Sequence, residues 1–124
     1  MRTFISECST HTSTVPDFVD ITSNVEAAVT ESGLTEGQVT IFSPDTDCVL
    51  IVNEREKGLL ADIKSTLERL GLSHPEGGTT MIGSTSVVLP ASEGKLRLGA
   101  WQRLLLVELK EAGPRSVIVQ VVGE

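Results

Sequence analysis

The chain has 124 residues and a mass of 13.2 kDa, with 40% apolar and 22% charged residues. Those proportions fit one globular domain and are too apolar for a disordered segment. Ten basic against seventeen acidic residues leave a net charge of −7, which argues against a nucleic-acid or anionic-membrane partner.

Two cysteines, and Phe4, Phe18, Phe42 and Trp101 as the only aromatic residues, exclude more. They supply no disulfide framework, no cysteine-rich zinc site and no stacking platform for single-stranded nucleic acid. No apolar run reaches the roughly 20 residues of a membrane span. The opening MRTFISECSTHTS lacks the apolar stretch of a signal peptide, so the expected compartment is the cytoplasm.

In chain order, RTFISEC (2–8) alternates as a strand, Ser9 to Thr14 has turn composition, and Phe18-Val19 forms a short second strand. Asp20 or Thr22 can cap a helix over 22–32, where Val25, Ala28 and Val29 fall at helical spacing and Gly33 ends it. QVTIF (38–42) is rich in β-formers, and the unbroken apolar run CVLIV (48–52) predicts a strand covered on both faces. Leu59, Leu60, Ile63, Leu67 and Leu70 make the apolar stripe of a second helix, stopped by Gly71. Four closely spaced strands follow at 86–90, 95–98, 102–109 and 116–122, three of them joined by links short enough for hairpins. The order predicts one α+β domain over residues 1–124. Two helices pack on a largely antiparallel, mixed sheet.

The segment GSTSVVLPASEGKLRLGAWQ (83–102) resembles the signature of the YjbQ-like family, also called the secondary thiamine-phosphate synthase family. Ser86, Pro90, Gly94, Leu96, Gly99, Trp101 and Gln102 carry the match, with Ala100 where Thr is usual. Asp20-Ile21-Thr22, Asn53-Glu54, Gly58-Leu59-Leu60, Asp62, Glu108, Gly113, Arg115 and Gly123-Glu124 extend it over essentially the whole chain. The resemblance implies an α+β fold, a homotrimer and a modest thiamine-phosphate synthase activity. That reaction joins a pyrimidine methyl diphosphate to a thiazole phosphate and releases diphosphate. The chain departs from the pattern where family members carry histidine: Asp45-Thr46-Asp47-Cys48 and Glu76 stand in those places, and only His74 remains nearby.

Asn53 and Glu54 end a buried strand that feeds a helix, a position that points polar groups into a pocket. Gln102, Leu104, Leu106 and Glu108 share one strand face. A buried Glu108 would have a raised pKa and could act as a general acid or base. These four polar residues, Asn53, Glu54, Gln102 and Glu108, are the candidate catalytic set. Asp45 and Asp47 would share a face in an extended segment. With His74 and Glu54 they offer oxygen-rich ligands that suit magnesium, the cofactor expected beside a diphosphate. Ser84 and Ser86 follow Gly83 in a turn that can cradle phosphate. Trp101, aimed by a bend at Gly99, is read as a core anchor, with ligand stacking as the alternative.

Two readings follow. In one, a trimer binds a small phosphorylated ligand in an acidic pocket at a subunit boundary, where Asn53, Glu54, Gln102 and Glu108 meet the Asp45–Asp47 segment and the His74–Glu76 loop, and keeps weak synthase activity. In the other, a non-catalytic trimer binds ligands or serves assembly, keeping the fold without the family's histidines.

Overall fold

The computed structural model describes residues 1–70 and 83–124. The strands are β1 (Arg2–Thr12), β2 (Asp17–Asp20), β3 (Gly37–Phe42), β4 (Cys48–Glu54), β5 (Ser86–Ser92), β6 (Lys95–Leu96), β7 (Gln102–Glu108) and β8 (Gly113–Gly123). The helices are α1 (Thr22–Ser32) and α2 (Lys57–Leu70). The α+β class with two helices on antiparallel strands is as the sequence predicts. The strands divide into a five-stranded sheet, β1-β8-β3-β5-β6, and a three-stranded one, β2-β7-β4, with all strand pairs antiparallel.

Alternation decides the layers. Val39 and Ile41 of β3, Val117, Val119 and Val121 of β8, and Leu104 and Leu106 of β7 are buried in one cluster between the sheets. Ile21, Val25, Ala28 and Val29 of the α1 region join that cluster. Each of the Val, Leu and Ile side chains contributes about 1.5–3 kcal/mol when fully buried. Asp20 Oδ1 accepts the Thr22 N–H (3.0 Å) at the start of α1. Thr22 turns its own hydroxyl elsewhere, to accept the Leu104 N–H (2.8 Å) of the central strand β7. Gly33, at φ 72°, closes the helix in the left-handed conformation that favours glycine.

β4 is buried on both faces as CVLIV predicts, with Cys48 and Leu50 in the inner cluster and Val49 in a second one. That second cluster joins Val49, Val107 and Leu109 to Leu67 of α2, so α2 covers the outer face of the three-stranded sheet. The outer face of the five-stranded sheet carries no helix from the described residues.

Three expectations need correction. β1 runs on through Thr12 instead of stopping at Cys8, because β8 offers it a partner at every position from Arg2↔Gly123 to Thr12↔Gly113. Of the late links, only β5–β6 is a hairpin. The chain passes from the five-stranded sheet to β7 in the other, and returns through Ala112-Gly113-Pro114 to β8. Finally, residues 45–47 are a turn, with the Cys48 N–H donating to Asp45 O (3.2 Å), so Asp45 and Asp47 do not share an extended face.

Candidate functional site

Two polar constellations form at opposite ends of the three-stranded sheet. At one end β4 finishes beside the start of β7, in the register Asn53↔Arg103 and Glu54↔Gln102. A turn over Gly99–Gln102 precedes β7. It is closed by the Gln102 N–H on Gly99 O (3.1 Å) and by the Gly99 N–H on Gln102 Oε1 (2.8 Å). Trp101 sits at the corner of this turn with 77% of its surface exposed. The expectation of a core anchor is therefore overturned for the chain: Trp101 lies off the strand that would have turned it inward.

The indole borders a groove of about 450 Å³, lined also by Glu54, Arg55, Glu56 and the Asp20–Arg103 ion pair (2.7 Å). Burial alone would raise the Asp20 pKa, but the Arg103 guanidinium and the Thr22 contacts hold it below the ordinary aspartate value. Glu56 is committed to the start of α2, accepting the Gly58 (2.9 Å) and Leu59 (2.7 Å) N–H groups, which lower its pKa. Asn53 Oδ1 accepts the Glu54 N–H (2.9 Å). Arg55 also borders a second hollow with Lys57 and Leu60. Those two residues border a third with Lys64 and Phe18. The three hollows share lining residues and form a trough with Trp101 in its first part, lined by the cations Arg55, Arg103, Lys57 and Lys64 and by the carboxylates Asp17, Asp20, Glu54 and Glu56.

At the other end of the sheet Glu108 is completely buried. Its Oε1 accepts from the Thr12 hydroxyl (2.8 Å) and from Arg115 Nε (2.7 Å), and its Oε2 lies 3.4 Å from the Lys110 N–H. Arg115 Nη2 donates to Glu111 O (2.6 Å) and Nη1 to Pro114 O (3.1 Å). Thr12 Oγ1 accepts the Gly113 N–H (3.0 Å). One carboxylate thus joins β1, β7 and β8. Burial pushes its pKa upward, yet the Arg115 and Thr12 hydrogen bonds, the Lys110 amide and the Arg115 charge outweigh burial and leave it lowered. The raised pKa expected of a buried Glu108 is corrected: its partner, invisible in the strand pattern, is a guanidinium. Beside this pair, burial first and the Glu108 charge second push the Cys48 thiol up to about 12, so it stays protonated and is no nucleophile at neutral pH.

A family model described as "UPF0047 protein YjbQ-like" matches residues 6–124. The chain belongs to the YjbQ-like family. A UPF0047 protein of Archaeoglobus fulgidus is 37% identical over 117 residues, spanning 84% of this chain and 90% of that protein. A YbjQ-like protein of unknown function from Sulfolobus solfataricus P2 superposes with a TM-score of 0.87 at 29% identity, over 99% of both chains. A hypothetical protein from Aeropyrum pernix K1 does so with 0.85 at 30% identity over the full length of both.

On this YjbQ-like scaffold the candidate residues fall into separate groups. Glu54 and Trp101 line the trough, with Asn53 next to Glu54 in sequence, while Gln102 lies outside the lining and spends its side-chain oxygen on the Gly99 N–H. Glu108 lies at the far end, opposite Cys48 where Glu54 is opposite Gln102. Six strand positions separate those pairs, about 20 Å at ~3.4 Å per residue. Within the chain the single pocket therefore does not form. Asp45 and Asp47 go with Glu108, facing Arg115 (4.0 Å) and Lys110 (3.8 Å).

Among the described residues no three His, Cys, Asp or Glu side chains converge for a metal, and these two carboxylates each face a cation instead. Ser84 spends its hydroxyl on Ser86, while its carbonyl accepts the Leu50 N–H (2.7 Å). His74 and Glu76 lie outside the described residues. Sequence reasoning missed Arg55, Arg103, Lys57 and Thr12. Arg103 had a signal, since it alternates with Gln102 and must face the other side of β7.

Proposed function

We propose that the trough binds a small phosphorylated compound with a planar heteroaromatic ring, and that the protein is a weak thiamine-phosphate synthase acting there as a homotrimer. The observation that carries this reading is the exposed Trp101 indole at one end of a row formed by Arg55, Lys57 and Lys64. A pyrimidine ring stacks on an indole face, and the cations suit a diphosphate. In the reaction the pyrimidine methylene–oxygen bond breaks, diphosphate leaves with that electron pair, and the thiazole nitrogen forms the new bond to the methylene carbon. Positive charge developing on that carbon is favoured by the indole face and by the Glu54 carboxylate. Arg55 and Lys57 offset charge on the leaving diphosphate. Magnesium held by the diphosphate itself would offset further charge on the leaving group.

A second reading, ligand binding without turnover, is favoured by the position and state of Glu108, which lies about 20 Å from the trough and leaves it without this candidate group. Held ionised between Arg115 and Thr12, it is a poor general acid or base. Trp101 is the only tryptophan, so ring stacking is read as quenching of its fluorescence by the pyrimidine methyl diphosphate. We expect saturable quenching, at least tenfold weaker binding by Arg55→Ala, and slow magnesium-dependent release of diphosphate when the thiazole phosphate is added. Quenching without release selects the binding reading. Neither quenching nor release rejects both. Light scattering is expected to give three subunit masses.

A further inference from the structure

We propose that Asp20 is a positioning residue, which aims the Arg103 guanidinium at the phosphate group nearest the ring of the ligand in the trough. This role rests on the trough reading above and deepens it, by naming the cation that takes that phosphate and the group that holds it. Register brings the pair together. β2 ends at Asp20, opposite Leu105 of β7, and Arg103 stands two places before Leu105. Residues two apart on a strand share a face, and a diagonal pair on one face is within reach of a long side chain. Val107 of the same face packs in the cluster with Leu67 of α2. Arg103 emerges past the end of β2, where the face opens into the groove.

Both oxygens of Asp20 are committed. Oδ1 accepts the Thr22 N–H (3.0 Å) and Oδ2 accepts Arg103 Nε–H (2.7 Å). The segment that carries Asp20 is clasped to the residue after Arg103. The Ile21 N–H donates to Leu104 O (3.0 Å), and the Leu104 N–H donates to the Thr22 hydroxyl (2.8 Å). Thr22 and Leu104 are buried, so the carboxylate and the root of the arginine are fixed to one another. A guanidinium carries further N–H donors on Nη1 and Nη2. Among the described residues none of these has a partner. The Arg103 side chain is 41% exposed, in the groove that Trp101 and Arg55 also line. A planar fork held at Nε and open at its outer edge suits two oxygens of one phosphate.

The cations follow one another along the trough. Arg103 borders only the hollow that holds Trp101, Arg55 joins it to the next, and Lys57 leads on to Lys64. A phosphate chain leading away from a ring on Trp101 meets Arg103 first. Asp20 offsets the charge of Arg103, so the fork acts through directed hydrogen bonds more than through net attraction, and its placement decides the affinity. The sign of one substitution separates placement from charge. Removing a carboxylate from a chain of net −7 favours an anionic ligand if charge alone matters. The positioning role demands the reverse.

The test reads quenching of Trp101 fluorescence by the pyrimidine methyl diphosphate, with circular dichroism to check that each variant folds. Asp20→Asn should weaken binding about tenfold and Arg103→Ala at least as much, the scale of one charge-assisted hydrogen bond. Asp20→Asn added to Arg103→Ala should change nothing further. Unchanged or tighter binding by folded Asp20→Asn would overturn the positioning role, as would a further loss in the double variant. Arg103→Lys keeps the charge without the fork and should bind no better than Arg103→Ala. Wild-type affinity there would overturn the fork. If Asp20→Asn does not fold, Asp20→Glu decides. It keeps the charge but displaces the carboxylate, so weaker binding supports the role and wild-type binding overturns it. A wild type that shows no quenching rejects the trough reading and this role with it. Quenching kept at wild-type strength in the Asp20 and Arg103 variants rejects this role alone.

Discussion

Glu108 shows how one partner reverses the chemistry of a buried group. Its carboxylate has no exposed surface, yet it is held ionised because Arg115 and Thr12 reach it from β8 and β1. Removing the guanidinium leaves an uncompensated buried charge, which costs 3–5 kcal/mol in buried pairs. Arg115→Ala should destabilise the chain by about 3 kcal/mol, at the lower end of that range because Arg115 keeps some solvent contact; urea denaturation checks this. The folded pKa of Glu108 lies below its ordinary 4.5, so its stabilisation is complete above that pH and is lost as pH falls through the folded value. Denaturation midpoints should therefore drop below about pH 4.5, and Glu108→Gln should flatten that drop. Trp101 behaves oppositely. With its indole exposed, Trp101→Ala should change the stability of the chain by no more than about 0.5 kcal/mol, whereas a core tryptophan would cost several. A loss of several kcal/mol in urea denaturation would return Trp101 to the core.

Element boundaries were legible where the pattern is local. The helix over 22–32 follows from Val25, Ala28, Val29 and Gly33, and the stripe from Leu59 to Leu70 marks α2. Partners in the sheets were not legible, because short links look alike whether a chain turns back on itself or crosses to another sheet. Thr10 and Thr12 read as turn residues, yet they are strand because β8 is long enough to pair them. The junction of β3 with β8 depends on a close backbone approach. A Cβ at Gly37 would fall 2.2 Å from Val122 O, and one at Gly123 would fall 1.9 Å from Glu36 O. Gly37→Ala must push the strands apart and should cost about 1–3 kcal/mol, seen as a lower thermal midpoint. An unchanged midpoint would mean that the β3–β8 end is free to shift.

Across the whole molecule, the polar residues were individually legible and their grouping was not. Glu54, Gln102, Trp101 and Glu108 stand out in sequence, but placing them at two ends of one sheet requires the register of β4 against β7. Likewise Arg115 reads only as the polar start of a strand until the return from β7 to β8 brings it beside Glu108. The antiparallel ladder of β1 and β8, from Arg2↔Gly123 to Thr12↔Gly113, has a mechanical consequence. Tension applied between residues 1 and 124 acts on one end of that ladder and across the strands, along the direction of the hydrogen bonds. The rungs then open one after another, and the two strands peel apart at low force. Tension between residues 1 and 113 pulls the same strands along their length in opposite directions, so the rungs share the load. A single-molecule pulling experiment on one chain should find a markedly higher rupture force for the second pair of attachment points than for the first.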